Sequence, residues 1–304
     1  MRGTGQERDR TTALFYRIAS SVVLVPVVAL FVYFGGWPLF GLAVVITVIA
    51  TNEFCTILRR AGYRPLRLFT VLLALLLVLD AQLALVGVSL PAGIAVTPVA
   101  LSLAMVASLV WQLLRDRDSG EALVSWALLF AGALYIGWLL RYYLLLRWLE
   151  DGLPGLSLTV GSVPFVVERG VVWMGLVVVA TWACDTAAYF VGSAWGHRRL
   201  LPHVSPRKSW EGTIAGVLAA GLVGLIGVPL LGMLPVVGLG LGLVIGVAGV
   251  LGDLAESLIK RGAQVKDASS LIPGHGGLLD RLDSMLFSGV AAYYYLILTQ
   301  AVHI

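Results

Sequence analysis

The chain has 304 residues, of which 59% are hydrophobic and only 12% are charged, and its mean hydropathy is +0.93. Water-soluble domains are about half apolar and about a quarter charged, so the composition excludes a water-soluble globular protein. It indicates an integral membrane protein that is surrounded mostly by lipid. The formal net charge of +4 favours contact with anionic headgroups or phosphates.

The first element along the chain is predicted to be a retained membrane helix. The polar, basic stretch MRGTGQERDRTTALFYR precedes an apolar run that lacks a small-residue cleavage site, so a removed signal peptide is not predicted. A helix needs about 20 apolar residues to cross the hydrocarbon. Nine segments meet or approach this length: 18–34, 38–58, 68–87, 94–114, 122–146, 170–191, 212–231, 235–257 and 284–302. Because these runs are continuously apolar and do not alternate, we predict an all-α, polytopic membrane bundle of about nine helices.

The distribution of Lys and Arg predicts the orientation of this bundle. With the N-terminus in the cytoplasm, 18 of the 21 basic residues lie on the cytoplasmic side, and Arg141, Arg147 and Arg169 lie toward the other side. Basic residues concentrate in the cytoplasmic loops of membrane proteins. We therefore predict a cytoplasmic N-terminus and a C-terminus outside. The expected location is the plasma (inner) membrane.

We expect one continuous bundle with two parts. Residues 1–169 would form about five N-terminal helices, and residues 170–304 would form the helices whose cytoplasmic loops carry the polar motifs. Between them, EDGLPGLSLTVGSVPFVVERG is the longest loop on the outer side. It is apolar enough to lie in the membrane interface as a re-entrant segment. The two cysteines, Cys55 and Cys184, fall in apolar runs and are predicted to be small buried hydrophobic residues.

Carboxylates at membrane depth are costly, so each one indicates a function or a specific partner. Asp80, in LLLVLDAQLAL, is interpreted as a structural pairing or an interfacial residue. Glu53 lies one turn from the inner surface and is expected to pair with Arg59 or Arg60. A functional role stays open for both carboxylates.

Three further carboxylates lie close to long polar loops. Asp185 lies in WACDTAAYFVG, just before the loop GHRRLLPHVSPRKSWEG. Asp253 and Glu256 are three residues apart and share a helical face, and Lys260 extends that face to the inner end of the helix. An ion pair between Glu256 and Lys260 explains part of the pattern, but it leaves Asp253 without a partner.

The stretch SLIKRGAQVKDASSLIPGHGGLLDRLDS adds Asp280 and Asp283 at the start of the last helix. Two helices are therefore predicted to point carboxylates at the same cytoplasmic mouth, where they repel unless a cation lies between them. Oxygen-rich sites of this kind suit Mg²⁺, shared with substrate phosphates. Nearby basic residues would hold further phosphate oxygens. Gly276 and Gly277 would admit phosphate to backbone amides, although PGHGG also suits a plain turn. His275 is a candidate substrate contact.

The basic loop HVSPRKSWEG carries Ser205, Arg207, Lys208 and Ser209 immediately before a predicted helix. Hydroxyls and cations at a helix N-terminus form a natural binding site for phosphate. A loop that only anchors the chain to the inner membrane surface would have the same composition.

The polar residues at the C-terminal end form a long ungapped pattern: Ser257, Ile259, Lys260, Arg261, Lys266, Asp267, Ser269, Ile272, Pro273, His275, Gly276, Gly277, Asp280, Arg281 and Asp283. Together with DTAAYFVG and SPRKSWEG, this pattern resembles the signature of phosphatidate cytidylyltransferases, also called CDP-diacylglycerol synthases. Arg207 and Ser209 stand where that family more often has Lys and Thr, and both changes keep the chemistry. The resemblance covers roughly residues 180–285, and the first five helices match only in topology.

The resemblance implies an enzyme that converts CTP and phosphatidate into CDP-diacylglycerol and pyrophosphate. It implies a requirement for Mg²⁺, leaves a second cation open, and implies membrane lipids but no nucleic acid as partners; a homodimer stays open. Catalytic roles are expected for Asp253, Asp280, Lys260, Arg261 and Lys266. Substrate contacts are expected for Ser205, Arg207, Lys208, Ser209, Asp267, His275, Gly276, Gly277 and Arg281. Metal ligands are expected among Asp253, Asp280, Asp283 and Asp185.

Two other functions would also account for carboxylates in a helical membrane protein. An ion-coupled transporter predicts charges along a path to the outer face, whereas the charges here gather at one mouth. A CDP-alcohol or polyprenyl transferase also pairs carboxylates with Mg²⁺, but its Asp motifs are spaced differently.

Overall fold

The computed structural model of the protein describes residues 22, 24–88, 93–114, 119–149, 155–160, 163–265, 268–269 and 276–301. These residues form nine helices: α1 (Leu24–Phe34), α2 (Gly36–Arg60), α3 (Arg67–Leu85), α4 (Val96–Leu113), α5 (Ser119–Arg147), α6 (Arg169–Trp195), α7 (Trp210–Gly227), α8 (Pro235–Gly262) and α9 (Leu279–Ala301). Helices α2 to α9 are long and apolar enough to cross a membrane. Helix α1 is apolar but shorter, and the start of its predicted span lies outside the described residues. The predicted all-α membrane bundle is confirmed.

Two short antiparallel hairpins were not predicted. Strands β1 (Leu156–Val160) and β2 (Val163–Val167) pair between α5 and α6, in the loop for which a re-entrant segment was expected. The sequence there is rich in β-branched residues around a short Gly-Ser connection, which favours a hairpin. Strands β3 (Arg199–Leu201) and β4 (Ser205–Ser209) pair just before α7. The second hairpin therefore carries the basic motif SPRKS on a strand.

Helices α6 to α9 pack with their backbones in close contact. An added Cβ at Gly224 would lie 2.0 Å from the Gly238 carbonyl oxygen, and one at Gly242 would lie 2.1 Å from that of Ala220. Apolar side chains are as well solvated by lipid as by another helix, so apolar burial alone does not drive helices together in a membrane. Small residues at such crossings let the helices approach closely and pack. The tight packing holds the ends of these helices, which carry the polar motifs, in fixed relative positions.

The basic residues predicted for the outer side have structural partners. Arg141 Nη1 lies 3.3 Å from Asp80 Oδ2, and Asp80 also accepts hydrogen bonds from the backbone and hydroxyl of Thr97. Arg147 pairs with Glu168 at 2.6 Å, and Arg169 donates to the Leu231 carbonyl at 2.7 Å. The structural interpretation of Asp80 is therefore confirmed.

Both cysteines are buried and free, as predicted for small hydrophobic residues. Cys184 lies where α7 crosses α6. An added Cβ at Gly216 of α7 would lie only 2.6 Å from the Cys184 carbonyl oxygen. The lipid-facing surface carries large apolar side chains instead, including Leu103, Leu113 and Phe190. Their exposure fits a bundle that is surrounded by hydrocarbon.

Candidate active site

Asp253 has a basic partner from the β3–β4 hairpin. Lys208 Nζ lies 2.6 Å from Asp253 Oδ2, and the Ser257 hydroxyl donates to Asp253 Oδ1 at 3.3 Å. Strand β4 presents Lys208 directly before α7, where the Ser209 hydroxyl caps the helix by accepting from the Gly212 amide at 3.2 Å. The carboxylate that the sequence left without a partner is thus bound to a lysine from the second basic motif.

Lys260 connects the two helices that carry the paired carboxylates. Its ammonium lies 2.7 Å from Glu256 Oε2 and 2.8 Å from Asp280 Oδ1. The expected ion pair between Glu256 and Lys260 is present, but the same ammonium also reaches the start of α9. Glu256 is fully buried, so this contact compensates a charge that would otherwise be strongly unfavourable. The predicted convergence of acidic residues from α8 and α9 is confirmed.

Asp280 is held by the loop that precedes α9. Its carboxylate accepts hydrogen bonds from the Gly277 amide at 2.8 Å and from the Ala268 amide at 3.0 Å, both to Oδ2. In this arrangement the Gly277 amide serves a carboxylate, whereas the sequence suggested that it would be open to phosphate. Gly276 has a φ of +84°, which glycine adopts at little cost. Pro273, Gly274 and His275, the other residues of PGHGG, lie outside the described residues.

Asp185 and Asp283 complete an acidic cluster, defined as Asp185, Asp253, Glu256, Asp280 and Asp283. Asp185 on α6 and Asp283 on α9 each interact electrostatically with Asp253 and with each other. The cluster thus draws on α6, α8 and α9. The Asp283 carboxylate also accepts from the Ser284 amide at 2.6 Å.

The residue types of the acidic cluster fit a divalent cation, although no metal-binding geometry is preformed. Five carboxylates against the ammonium groups of Lys208 and Lys260 leave three formal negative charges, and carboxylate oxygens are the ligands that Mg²⁺ prefers. No group of three acidic, His or Cys side chains within the described ranges is arranged to hold a metal ion. Asp253 and Asp280, which are both among the expected metal ligands, are bound to different lysines.

The remaining predicted site residues that the structure describes lie on β4, α8 and α9. Arg207, Arg261 and Arg281 are exposed, and Arg261 Nε lies 3.3 Å from the Val204 carbonyl of the hairpin. Ser205 begins β4 and is half-buried. Lys266, Asp267 and His275 lie outside the described residues.

Two residues from the N-terminal helices also interact with this part of the structure; the sequence left a functional role open for the first and did not single out the second. Glu53 on α2 was expected to pair with Arg59 or Arg60, but it accepts hydrogen bonds from the Leu278 and Leu279 amides at the start of α9. That expectation is wrong. Tyr135 lies in a π-helical turn of α5, Leu134–Trp138, and interacts electrostatically with Glu256, Asp283 and Asp253. The π-helical turn distinguishes Tyr135 from the other tyrosines of α5, and such turns are frequent at functional sites. No sequence pattern predicts this turn.

A separate cavity of about 960 Å³ lies near the α2–α3 turn. Its walls include Asn52, Arg59, Tyr63, Arg64, Arg67 and Trp111. No residue of the acidic cluster lines this cavity, so the cavity is distinct from the candidate active site. The candidate site remains the group of charged residues on β4, α6, α8 and α9.

Comparison with known proteins agrees with this assembly of motifs. The Cytidylyltransferase family matches residues 15–299, which is nearly the whole chain, and the chain belongs to this family. A phosphatidate cytidylyltransferase from Synechocystis is 32% identical over 296 residues, covering 93% of this chain and 96% of the relative. One from Chlamydia pneumoniae is 29% identical over 303 residues, covering 95% and 93%. One from Haemophilus influenzae is 47% identical over 115 residues, covering 36% and 40%.

Proposed function

We propose that this protein transfers a cytidylyl group from CTP to phosphatidate, giving CDP-diacylglycerol and pyrophosphate. The convergence of carboxylates from α8 and α9 on Lys208 and Lys260 at one end of the bundle is the observation that carries the proposal. This constellation suits two phosphate-bearing substrates and a cation. The similarity to phosphatidate cytidylyltransferases over nearly the full chain supports the choice of substrates.

The chemical problem of this reaction is the repulsion between two anions. A phosphate oxygen of phosphatidate would attack the α-phosphorus of CTP, and pyrophosphate would leave in line. Phosphatidate is already ionised at neutral pH, so no strong general base is needed. The site must instead position both substrates and neutralise their charge, which are the main contributions expected for phosphoryl transfer.

The residues that would hold Mg²⁺ are Asp253, Asp280, Asp283 and Asp185. When bound, a divalent cation would offset the charge of the CTP oxygens and of the leaving pyrophosphate. Asp253 is the central candidate, because Asp185 and Asp283 both lie close enough to interact with it. Asp280 is oriented by two backbone amides and by Lys260. A second cation would draw on the same carboxylates.

The basic residues would bind the phosphate groups. Lys208 and Lys260 are placed between the carboxylates, and Arg207, Arg261 and Arg281 lie exposed around them. Lys266, Asp267 and His275 keep the substrate-contact and catalytic roles that the family resemblance implies for them. Ser205, Ser209, Gly276 and Gly277 would shape the backbone around the bound phosphates.

The site would serve a soluble nucleotide and a lipid at the same time. CTP would arrive from the cytoplasm, and phosphatidate would diffuse laterally in the inner leaflet with its tails in lipid. A site at the cytoplasmic ends of α8 and the start of α9 avoids extraction of the tails, which would be costly. This arrangement requires the orientation that the distribution of Lys and Arg predicts and fits the expected location in the plasma membrane.

The test is an assay of the purified full-length chain with radiolabelled CTP, phosphatidate and MgCl₂. We expect labelled CDP-diacylglycerol only when both substrates are present, and loss of product on addition of EDTA. Product without phosphatidate, or the same yield with EDTA and no added metal, would contradict the proposal. Ion flux in proteoliposomes without nucleotide would favour a transporter instead.

A further inference from the structure

We infer that Glu53 is a positioning residue of this enzyme, whose buried carboxylate holds the start of α9 and thereby orients Asp280. The kinetic part of the inference rests on the proposed function. The structural part concerns only contacts within the chain. It gives the N-terminal helices a direct task in a site whose recognised motifs all lie in the C-terminal half.

The contacts of Glu53 cross from one half of the chain to the other. Its Oε2 accepts from the Leu279 amide at 2.7 Å, and its Oε1 accepts from the Leu278 amide at 3.1 Å. The Ser269 hydroxyl donates to Oε1 as well. One side chain on α2 therefore binds Ser269, which follows α8 in the chain, and also the two amides at the start of α9.

Within the described residues, the position before α9 offers no side-chain acceptor for these amides. Helix termini expose amides that a Ser, Thr, Asp or Asn at the cap position normally satisfies, whereas Leu278 stands before the first residue of α9. Glu53 supplies the acceptor from more than 200 residues away in the sequence. The positive end of the helix dipole also favours a carboxylate at this position.

The burial of Glu53 indicates that its negative charge has a specific purpose. Glu53 is only 6% exposed, and the donors bound to it within the described ranges are two amides and a hydroxyl. A buried carboxylate is costly unless its hydrogen-bonding capacity is filled, and a neutral side chain could cap two amides without that cost. A charge-assisted bond is shorter and stronger, which suits a segment that has to be held in one position.

Gly277 is shaped to the same carboxylate. A Cβ added at Gly277 would lie 2.9 Å from Glu53 Oε2 and 3.0 Å from Oε1. The Gly277 amide donates to Asp280 at 2.8 Å, so the residue that makes room for Glu53 also orients Asp280. Displacement of Glu53 would therefore shift the carboxylate of Asp280, which shares the ammonium of Lys260 with Glu256.

The test compares Glu53→Gln and Glu53→Asp with Asp80→Asn in the purified full-length protein. Gln replaces one acceptor with an amide that points donors at backbone N–H groups, whereas Asp keeps the charge on a shorter side chain. Asp80 is a matched control, because it is also 6% exposed and pairs with Arg141 and Thr97 away from the site. Its loss perturbs a buried carboxylate without touching α9.

We expect Glu53→Gln to lower kcat by about 10- to 100-fold, since small misplacement of catalytic groups has effects of this size. The KM values for both substrates should stay within about threefold, and Glu53→Asp should recover part of kcat. Hydrogen exchange of the Leu278 and Leu279 amides should accelerate in Glu53→Gln but not in Asp80→Asn. Adding Gly277→Ala to Glu53→Gln should cost less than the product of the two single losses.

Unchanged amide exchange in Glu53→Gln would overturn the inference. The inference would also fail if the loss of kcat simply tracked the loss of thermal stability across all variants, including Asp80→Asn. If the wild-type chain makes no CDP-diacylglycerol, the proposed function fails, and the exchange measurement still decides whether Glu53 holds the start of α9.

Discussion

At the scale of single residues, the site depends on two lysines that differ in burial. Lys260 is 15% exposed in its side chain and contacts the fully buried Glu256, whereas Lys208 is 23% exposed and contacts an Asp253 that is itself 26% exposed. A buried charge that loses its partner is strongly destabilising, while a partly exposed one is compensated by solvent. The two lysines should therefore respond differently to substitution.

Replacement of Lys260 should affect both stability and activity. Lys260→Met leaves Glu256 and Asp280 facing each other without the ammonium between them, so we expect destabilisation of about 3–5 kcal/mol and loss of turnover. Thermal unfolding in detergent measures the first effect. Adding Glu256→Gln should restore part of the stability, because it removes the uncompensated charge. An unchanged unfolding temperature in Lys260→Met would contradict the bridging role.

Replacement of Lys208 should act mainly on substrate binding. Lys208→Ala keeps the Ser257 hydrogen bond to Asp253 but removes a cation that we assign to phosphate binding. The KM for CTP or for phosphatidate should rise, with little change in unfolding temperature. Lys208→Arg retains the charge and serves as the control. Unchanged KM values for both substrates in Lys208→Ala would count against this assignment.

Residue patterns predicted the site only in part. The spacing of Asp253, Glu256 and Lys260 on one helix, and of Asp280 and Asp283 on the next, was sufficient to predict that α8 and α9 converge. The pairing of Lys208 with Asp253 was not predictable, because it depends on how the β3–β4 hairpin folds against α8. The contacts of Glu53 were not predicted for a similar reason: helical spacing favours local partners such as Arg59, and the actual partners include amides more than 200 residues away.

At the scale of elements, close contacts between α6, α7 and α8 fix the ends that carry the acidic cluster. Continuous apolar runs were enough to predict helices α2 to α9 within a few residues of their observed bounds. They did not predict which faces meet, since an apolar side chain is equally at home in lipid and in the bundle. The glycine spacing on α7 and α8 carries that information.

Substitution within the α7–α8 contact should destabilise the bundle. Gly242→Ala places a Cβ about 2.1 Å from the Ala220 carbonyl oxygen, and we expect a loss of about 1–3 kcal/mol, typical of overpacking. Gly175→Ala on α6 is the control, because nothing lies within 4 Å of its added Cβ. Equal unfolding temperatures for the two variants would show that the contact does not determine helix packing.

At the scale of the whole molecule, the proposed function requires the acidic cluster to face the cytoplasm. The α2–α3 turn and the β3–β4 hairpin should then lie inside, and the β1–β2 hairpin outside. Charge distribution in the sequence predicts this orientation. In this orientation, the basic residues on the outer side would include arginines with acidic partners, such as Arg147 with Glu168.

Labelling of single cysteines in intact cells measures the orientation. Cys55 and Cys184 are buried, so background labelling should be low. We expect a membrane-impermeant maleimide to label Val166→Cys in β2, which is 60% exposed, and to label Arg60→Cys only after the cells are opened. The reverse pattern would place the acidic cluster on the outer face.

The most direct test of the account is the turnover of purified Asp253→Asn and Asp280→Asn with CTP, phosphatidate and Mg²⁺, beside Asp80→Asn as a control for the loss of a buried carboxylate. We predict that both cluster variants stay folded and lose at least about 100-fold in CDP-diacylglycerol formation, while folded Asp80→Asn keeps its turnover. Turnover close to that of the wild-type chain in Asp253→Asn or Asp280→Asn would contradict the assignment of the acidic cluster as the active site.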